Sequence, residues 1–231
     1  MRMLGLAADA RRCSLPKALE VVAALRRLMA VLVESPPRTI AAVLPPHAVL
    51  FIDGACDPGE RLPSVGIGAC VFDKPNGVVE YFGAQVGCAL VELWAERPDQ
   101  QVIAQAELVP TLIALSTWRH IFKGRPLVVF IDNDSARFGL VSGYSSVASS
   151  AAIILAIWGQ LARLGIACWF ARVPTVCNPA DGPSRLRFED MARIRARRVE
   201  PAFEGVGGAR VWATVAAHLH SETPEGRACL L

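Results

Sequence analysis

Ala48-Val49-Leu50-Phe51-Ile52-Asp53-Gly54 is a short apolar run closed by an acid and a glycine, and it follows a break at Pro45-Pro46. A run of this length bounded by turn signals reads as a buried strand. The pattern recurs in Leu127-Val128-Val129-Phe130-Ile131-Asp132-Asn133. Between the two, Glu107 sits in the helix-like stretch Ile103-Ala104-Gln105-Ala106-Glu107-Leu108-Val109, and Asp181 follows in Asn178-Pro179-Ala180-Asp181. Carboxylates at the ends of neighbouring buried strands converge on one sheet edge. There they repel one another unless divalent cations neutralise them.

Working outward from this stretch, the remaining elements fall into place. Residues 48–55 form strand one, and 64–73 alternate around Val65, Ile67, Ala69 and Val71 as strand two. Lys74-Pro75-Asn76-Gly77 predicts a hairpin turn into strand three, 78–86. Gly66 and Gly68 predict close packing against the site-bearing strand. The stretch 87–100 reads as irregular, with Arg97-Pro98-Asp99 as a helix-leading turn. A helix covers 101–119, and Pro110 is expected either to kink it or to mark the start of its regular part. Strand four (126–132), a short helix (Ser135 to Val141), a longer helix (Val147 to Leu164) and strand five (166–172) follow, with a last helix from Pro179. Three antiparallel strands followed by α-β-α-β-α predict an α/β sandwich whose five-stranded mixed sheet is flanked by helices. Residues 16–34 read as an amphipathic helix ended by Ser35-Pro36-Pro37-Arg38.

Just over half of the 231 residues are apolar, so a sizeable core is expected and global disorder is not. A net charge of +3 does not by itself argue for nucleic acid. Seven cysteines without a Cys-x-x-Cys pair read as reduced thiols of an intracellular protein, in cytoplasm or nucleus, and disfavour zinc. The apolar stretch from Ala151 to Phe170 carries Arg163 well inside it, which argues for a buried helix and strand rather than a membrane span.

Each acid has a plainer reading. Asp53-Gly54 and Asp181-Gly182 suit turns, and Glu107 suits a solvent-facing position. Asp132 suits a helix cap, although Asp134 or Ser135 would serve equally and leave Asp132 free. The order of the four acids on the predicted elements is what outweighs these readings.

That order resembles type 1 ribonuclease H. In particular, Ile103-Ala104-Gln105-Ala106-Glu107-Leu108, Phe130-Ile131-Asp132-Asn133-Asp134-Ser135-Ala136 and the closing Asn178-Pro179-Ala180-Asp181-Gly182-Pro183-Ser184-Arg185 resemble the ribonuclease H regions of retroelement reverse transcriptases. The resemblance implies a ribonuclease H-like fold over 47–188, flanked by an N-terminal helical extension (1–46) that fits the tail of a reverse transcriptase module. A basic C-terminal extension (189–231) completes the expected organisation. It further implies an endonuclease that cuts the RNA strand of RNA–DNA hybrids with two Mg²⁺ or Mn²⁺ ions. Asp53, Glu107, Asp132 and Asp181 would be the catalytic metal ligands, Asp53 bridging both ions. Asn133, Asn178, Arg185, Arg193 and Arg197 are the expected nucleic-acid contacts. The polymerase part of a reverse transcriptase would be a partner, and no membrane is implied.

The sequence departs from the family in lacking any histidine between 121 and 217, where many members carry a mobile one before the last acid. Integrase-like relatives place the helix-borne Glu after the second Asp, whereas Glu107 precedes Asp132. Proofreading exonucleases begin with Asp-x-Glu, whereas this chain has Asp53-Gly54-Ala55. The rival from another class is a retroelement remnant or hybrid-binding scaffold that no longer cuts. Clustering of the four carboxylates would favour the enzyme.

Overall fold

The computed structural model describes residues 46–95 and 102–202, together with Val22, Leu25, Arg26, Met29 and Val33. The chain divides into two compact units, Met1–Arg38 and Thr39–Leu231. The five described positions of the first unit are all helical and exposed; the rest of the 16–34 helix lies outside the described residues, as do the Arg97-Pro98-Asp99 turn and 203–231.

In the second unit, β1 (Ala48–Asp57), β2 (Ser64–Asp73) and β3 (Val78–Gln85) form an antiparallel meander. A 3₁₀ turn at Lys74–Asn76 joins β2 to β3, and Gly77 follows it with a φ of 65°, the left-handed conformation a glycine adopts without strain. Helices α1 (Cys88–Trp94), α2 (Ile103–Thr117) and α3 (Arg119–Phe122) lead to β4 (Pro126–Ile131), which runs parallel to β1. Helices α4 (Asp134–Ser142) and α5 (Ala148–Leu164) return the chain to β5 (Ala167–Arg172), parallel to β4. Short helices α6 (Asp181–Ser184) and α7 (Glu189–Arg193) precede a two-residue strand, β6 (Arg197–Arg198). The sheet order is β5-β4-β1-β2-β3-β6. This is the α/β architecture expected of a ribonuclease H-like fold.

The sheet has one strand more than the expected five. β6 pairs parallel with β3 at Glu80 and Tyr81, and the Val199 N–H donates to the Tyr81 carbonyl at 2.9 Å. Glu80 fixes this edge. Its Oε2 accepts from the indole N–H of Trp118 at 2.8 Å and its Oε1 takes the Arg197 guanidinium. Two arginines give no strand periodicity, so only the tertiary partner reveals β6. A second difference is α1, in a stretch expected to be irregular: Leu90, Val91 and Trp94 lie on one helical face and are buried, but no side chain caps the helix. Along Ala151–Phe170 the chain is a helix and a strand, and no helix among the described residues is long and apolar enough to cross a membrane.

The main core lies between the sheet and α2 and α5, where Leu50, Ile52, Ile67, Phe82, Leu112 and Trp118 are fully buried. On the opposite face a smaller cluster joins Cys70, Tyr81, Ala180 and Met191. α2 continues through Pro110 rather than starting beside it. Missing an N–H, Pro110 gives the Ala106 carbonyl no partner within the helix. Ala106 is also where the helix meets β1: a Cβ on Gly54 would lie 2.4 Å from the Ala106 carbonyl carbon, so only glycine admits this approach.

Asp73, at the end of β2, is 1% exposed and takes both terminal nitrogens of Arg125 at 2.8 and 2.9 Å. The Arg125 hydrogen bonds hold its carboxyl below the ordinary value, with Asn76 adding to the effect against the cost of burial. A carboxyl with a lowered folded pKa stabilises above its unfolded value of about 3.9, and the contribution is lost as pH falls through the folded value. Asp73→Asn is therefore expected to cost about 3 kcal/mol at pH 7 in urea denaturation, with the difference from wild type disappearing in acid.

Candidate metal centre

The β1–β4 register sets the first two acids side by side. Phe51 pairs with Phe130, their rings stacked with centroids 4.8 Å apart. Two residues further along each chain, on the same face, come Asp53 and Asp132. α2 supplies the third acid, Glu107, because Gly54 lets its backbone lie directly on β1. Asp53, Glu107 and Asp132 each offer an oxygen within 4.8 Å of the others, and this is the acidic cluster of cation-binding geometry among the described residues.

Asp53 is 3% exposed and held from a single turn. Ser184, itself buried, donates its hydroxyl to Oδ2, and Asn178 Nδ2 approaches Oδ1 at 3.5 Å. The turn reaches Asp53 because the facing row of the sheet is glycine. A Cβ on Gly68, the β2 partner of Asp53, would fall 2.4 Å from the Ser184 nitrogen, and one on Gly66 would fall 2.0 Å from the Ser184 carbonyl oxygen. The close packing expected at these glycines is thus real, but its partner is the 180–184 turn rather than the strand alone. Gly83 on β3 extends the same floor under Pro183.

The electrostatics are those of a site short of positive charge. Burial pushes the Asp53 carboxyl up to about 7; the Ser184 hydrogen bond opposes this, while Asp132 and Asp181 add repulsion. Burial and then the charges of Asp53 and Asp132 push Glu107 up to about 9, against hydrogen bonds from the Gly54 N–H and the Asn133 side chain. Two buried oxygens, Glu107 Oε2 and Asp132 Oδ1, have no hydrogen-bond partner. Three carboxylates this close, two of them with an orphaned oxygen, fit a hard divalent cation, which takes oxygen ligands and cancels the repulsion.

Asp181 lies beside this group but outside it. Its Oδ1 accepts from Arg185 Nε at 3.0 Å and its Oδ2 faces Arg187 at 3.5 Å. Three of the four expected acids are brought together and the fourth is held by arginines.

The expected nucleic-acid contacts have varied surroundings. Asn133 caps α4 by accepting from the Ala136 N–H at 3.0 Å, so the cap is neither Asp134 nor Ser135. Asn178 is buried and donates to the Ile52 carbonyl at 2.9 Å. Arg185 also lies 3.6 Å from Asp57, Arg193 pairs with Asp190 at 2.7 Å, and Arg197 is engaged by Glu80. Sequence reasoning missed Ser184 and Gly54 as supports of the site. Ser184 stood in the closing motif, but nothing in a sequence says which carboxylate a serine three positions beyond Asp181 will reach.

No protein-family model matches this chain, and no curated protein matches it in sequence. Similar solved structures include ribonuclease H1 from the halophilic archaeon Halobacterium salinarum NRC-1, at 17% identity and a TM-score of 0.44 over 63% of this chain and 99% of that one. LC11 ribonuclease H1 in complex with an RNA/DNA hybrid gives 13% identity and a TM-score of 0.49, with the same shares covered. The Prototype Foamy Virus protease–reverse transcriptase gives 14% identity and a TM-score of 0.42, over 72% of this chain and 23% of that one. The chemistry available at the site rests on its own geometry.

Proposed function

We propose that this chain is a divalent-metal-dependent endonuclease that hydrolyses the RNA strand of RNA–DNA hybrids and derives from a retroelement reverse transcriptase. The observation that carries the reading is the meeting of Asp53, Glu107 and Asp132 with two buried oxygens left unpartnered. The hybrid as substrate and the retroelement origin rest on the motif resemblance.

Two divalent cations, Mg²⁺ or Mn²⁺, would activate the attacking water and neutralise charge on the phosphate and the leaving oxygen. Asp53, Glu107 and Asp132 would hold them, with Asp181 as the fourth ligand. Ser184 and Asn178 orient the Asp53 carboxylate from the 178–184 turn, so its oxygens are fixed before any ligand arrives. Gly54 and Asn133 do the same for Glu107. Preorganisation of this kind removes reorganisation from the reaction barrier.

The second reading, a scaffold that binds hybrid without cutting, draws support from the arginine pairing of Asp181, which leaves three carboxylates in the cluster. A panel of end-labelled substrates separates the two. With Mg²⁺ or Mn²⁺, the RNA strand of a hybrid is expected to be cut while its DNA strand, duplex DNA and single-stranded RNA stay intact, and EDTA is expected to stop the reaction. Binding of the hybrid without cutting under either metal would favour the scaffold.

A further inference from the structure

The turn that holds Asp53 in place holds Asp181 away. Arg185 and Arg187 take one oxygen each of the Asp181 carboxylate, at 3.0 and 3.5 Å. The backbone is bent to allow it. Leu186 has a φ of 55°, a left-handed conformation that costs energy for any residue bearing a Cβ. The Arg187 N–H then folds back to the Gly182 carbonyl at 2.8 Å, and a Cβ on Gly182 would meet the Arg187 carbonyl oxygen at 2.8 Å. Leu186 is thus the bend that returns the second arginine to the acid two residues after the first.

A guanidinium binds carboxylate and phosphate through the same fork of donors. Arg185 and Arg187 side chains are 39% and 60% exposed, so an incoming polyanion can reach both. We propose that Arg185 and Arg187 are a latch on Asp181, opened when phosphates of the bound nucleic acid take the guanidinium groups and free the carboxylate to ligate a second divalent cation. The first cation site, built on Asp53, Glu107 and Asp132, stands ready without substrate; the second is completed by it. This rests on the nuclease reading of the site and adds to it an order of assembly. Coupling of this kind is reciprocal: cation binding at Asp181 and phosphate binding at the arginines favour each other.

The test is Mn²⁺ binding by the full chain without nucleic acid, read from the resonance of free Mn²⁺. Wild type is expected to show one stronger site and one weaker. Arg185→Gln/Arg187→Gln should tighten the weaker site about tenfold, equivalent to about 1.4 kcal/mol. Arg187→Gln alone, at the more exposed arginine, should move it the same way by less, and serves if the double variant does not fold. Adding Asp181→Asn to the double variant should abolish the gain. A weaker site that stays within about twofold of wild type in the arginine variants, or a gain that survives Asp181→Asn, overturns the latch. The second outcome would mean that the arginines act only as nearby charge. The same preparations, assayed on labelled hybrid, keep the two readings apart. The tenfold gain without cutting retains the latch and rejects the nuclease. Cutting without the gain does the reverse.

Discussion

Asp53→Asn is expected to lower metal-dependent cleavage of an RNA–DNA hybrid by about a thousandfold, a loss of about 4 kcal/mol of transition-state stabilisation. Asp53 is the acid on which the site is built. It lies near Asp132 at the end of the adjoining parallel strand, meets Glu107 across the Gly54 contact, and is gripped by Ser184 and Asn178. Asparagine has the same shape, and its amide oxygen can still accept from Ser184, so the fold should survive. What is lost is the charge. A neutral amide at the centre weakens cation binding at the whole cluster rather than at one ligand, which is why the effect should exceed that of changing Asp181. The same substitution should make the metal-free protein more stable, because it removes one of three mutually repelling carboxylates. An inactive variant with a raised melting temperature is a signature that loss of folding would not produce. Cleavage rates and thermal melts of one preparation check both halves.

The second large effect concerns pH. In the metal-free protein burial pushes Asp53 up to about 7 and Glu107 up to about 9, whereas in the unfolded chain both titrate near their ordinary values of about 4. Between those limits the native state binds more protons than the unfolded state, so stability falls as pH rises. From pH 5 to pH 7, Asp53 alone accounts for roughly 2 kcal/mol, since the slope of about 1.4 kcal/mol per unit eases as its folded value is approached. For a unit of this size that lowers the melting temperature by roughly 4–8 °C. Saturating Mg²⁺ or Mn²⁺ binds the folded form and should reverse the loss, with a larger effect at pH 8 than at pH 5. Asp53→Asn should reduce the slope, leaving the part that burial of Glu107 contributes. Thermal melts across pH, with metal and with EDTA, give the check; a metal-free melting temperature that rises from pH 5 to pH 8 would contradict the strained cluster.

Most of the architecture was legible because its strands are short apolar runs with clear punctuation. Ala48–Asp57 carries an acid after its apolar run and Pro126–Ile131 leads into one, and Lys74-Pro75-Asn76-Gly77 turns the hairpin where expected. What the sequence hid has a common physical cause, that its determinant lies in a distant segment. β6 is two arginines held by Glu80, more than a hundred residues earlier. The α1 helix has a buried face but no cap to announce it. Gly66 and Gly68 announced a close approach, but not that the approaching chain is the turn at Ser184.

The candidate site shows the same division. The four acids and their order could be read directly, since each lies in or beside a recognisable element. Their grouping could not. The second arginine reaches Asp181 only after the bend at Leu186, and a leucine gives no hint of a left-handed backbone. That the Asn133 side chain caps α4 and reaches Glu107 was likewise hidden, because both partners are set by the fold.

The most direct test of the central claim, that Asp53, Glu107 and Asp132 together hold a divalent cation, is Mn²⁺ titration at pH 8 of wild type against Asp53→Asn/Glu107→Gln/Asp132→Asn. The wild-type chain is expected to take up Mn²⁺ at millimolar concentration or below, with a rise in melting temperature, and the triple variant to show neither. Equal uptake by the two folded proteins, or none by the wild type, would contradict the account.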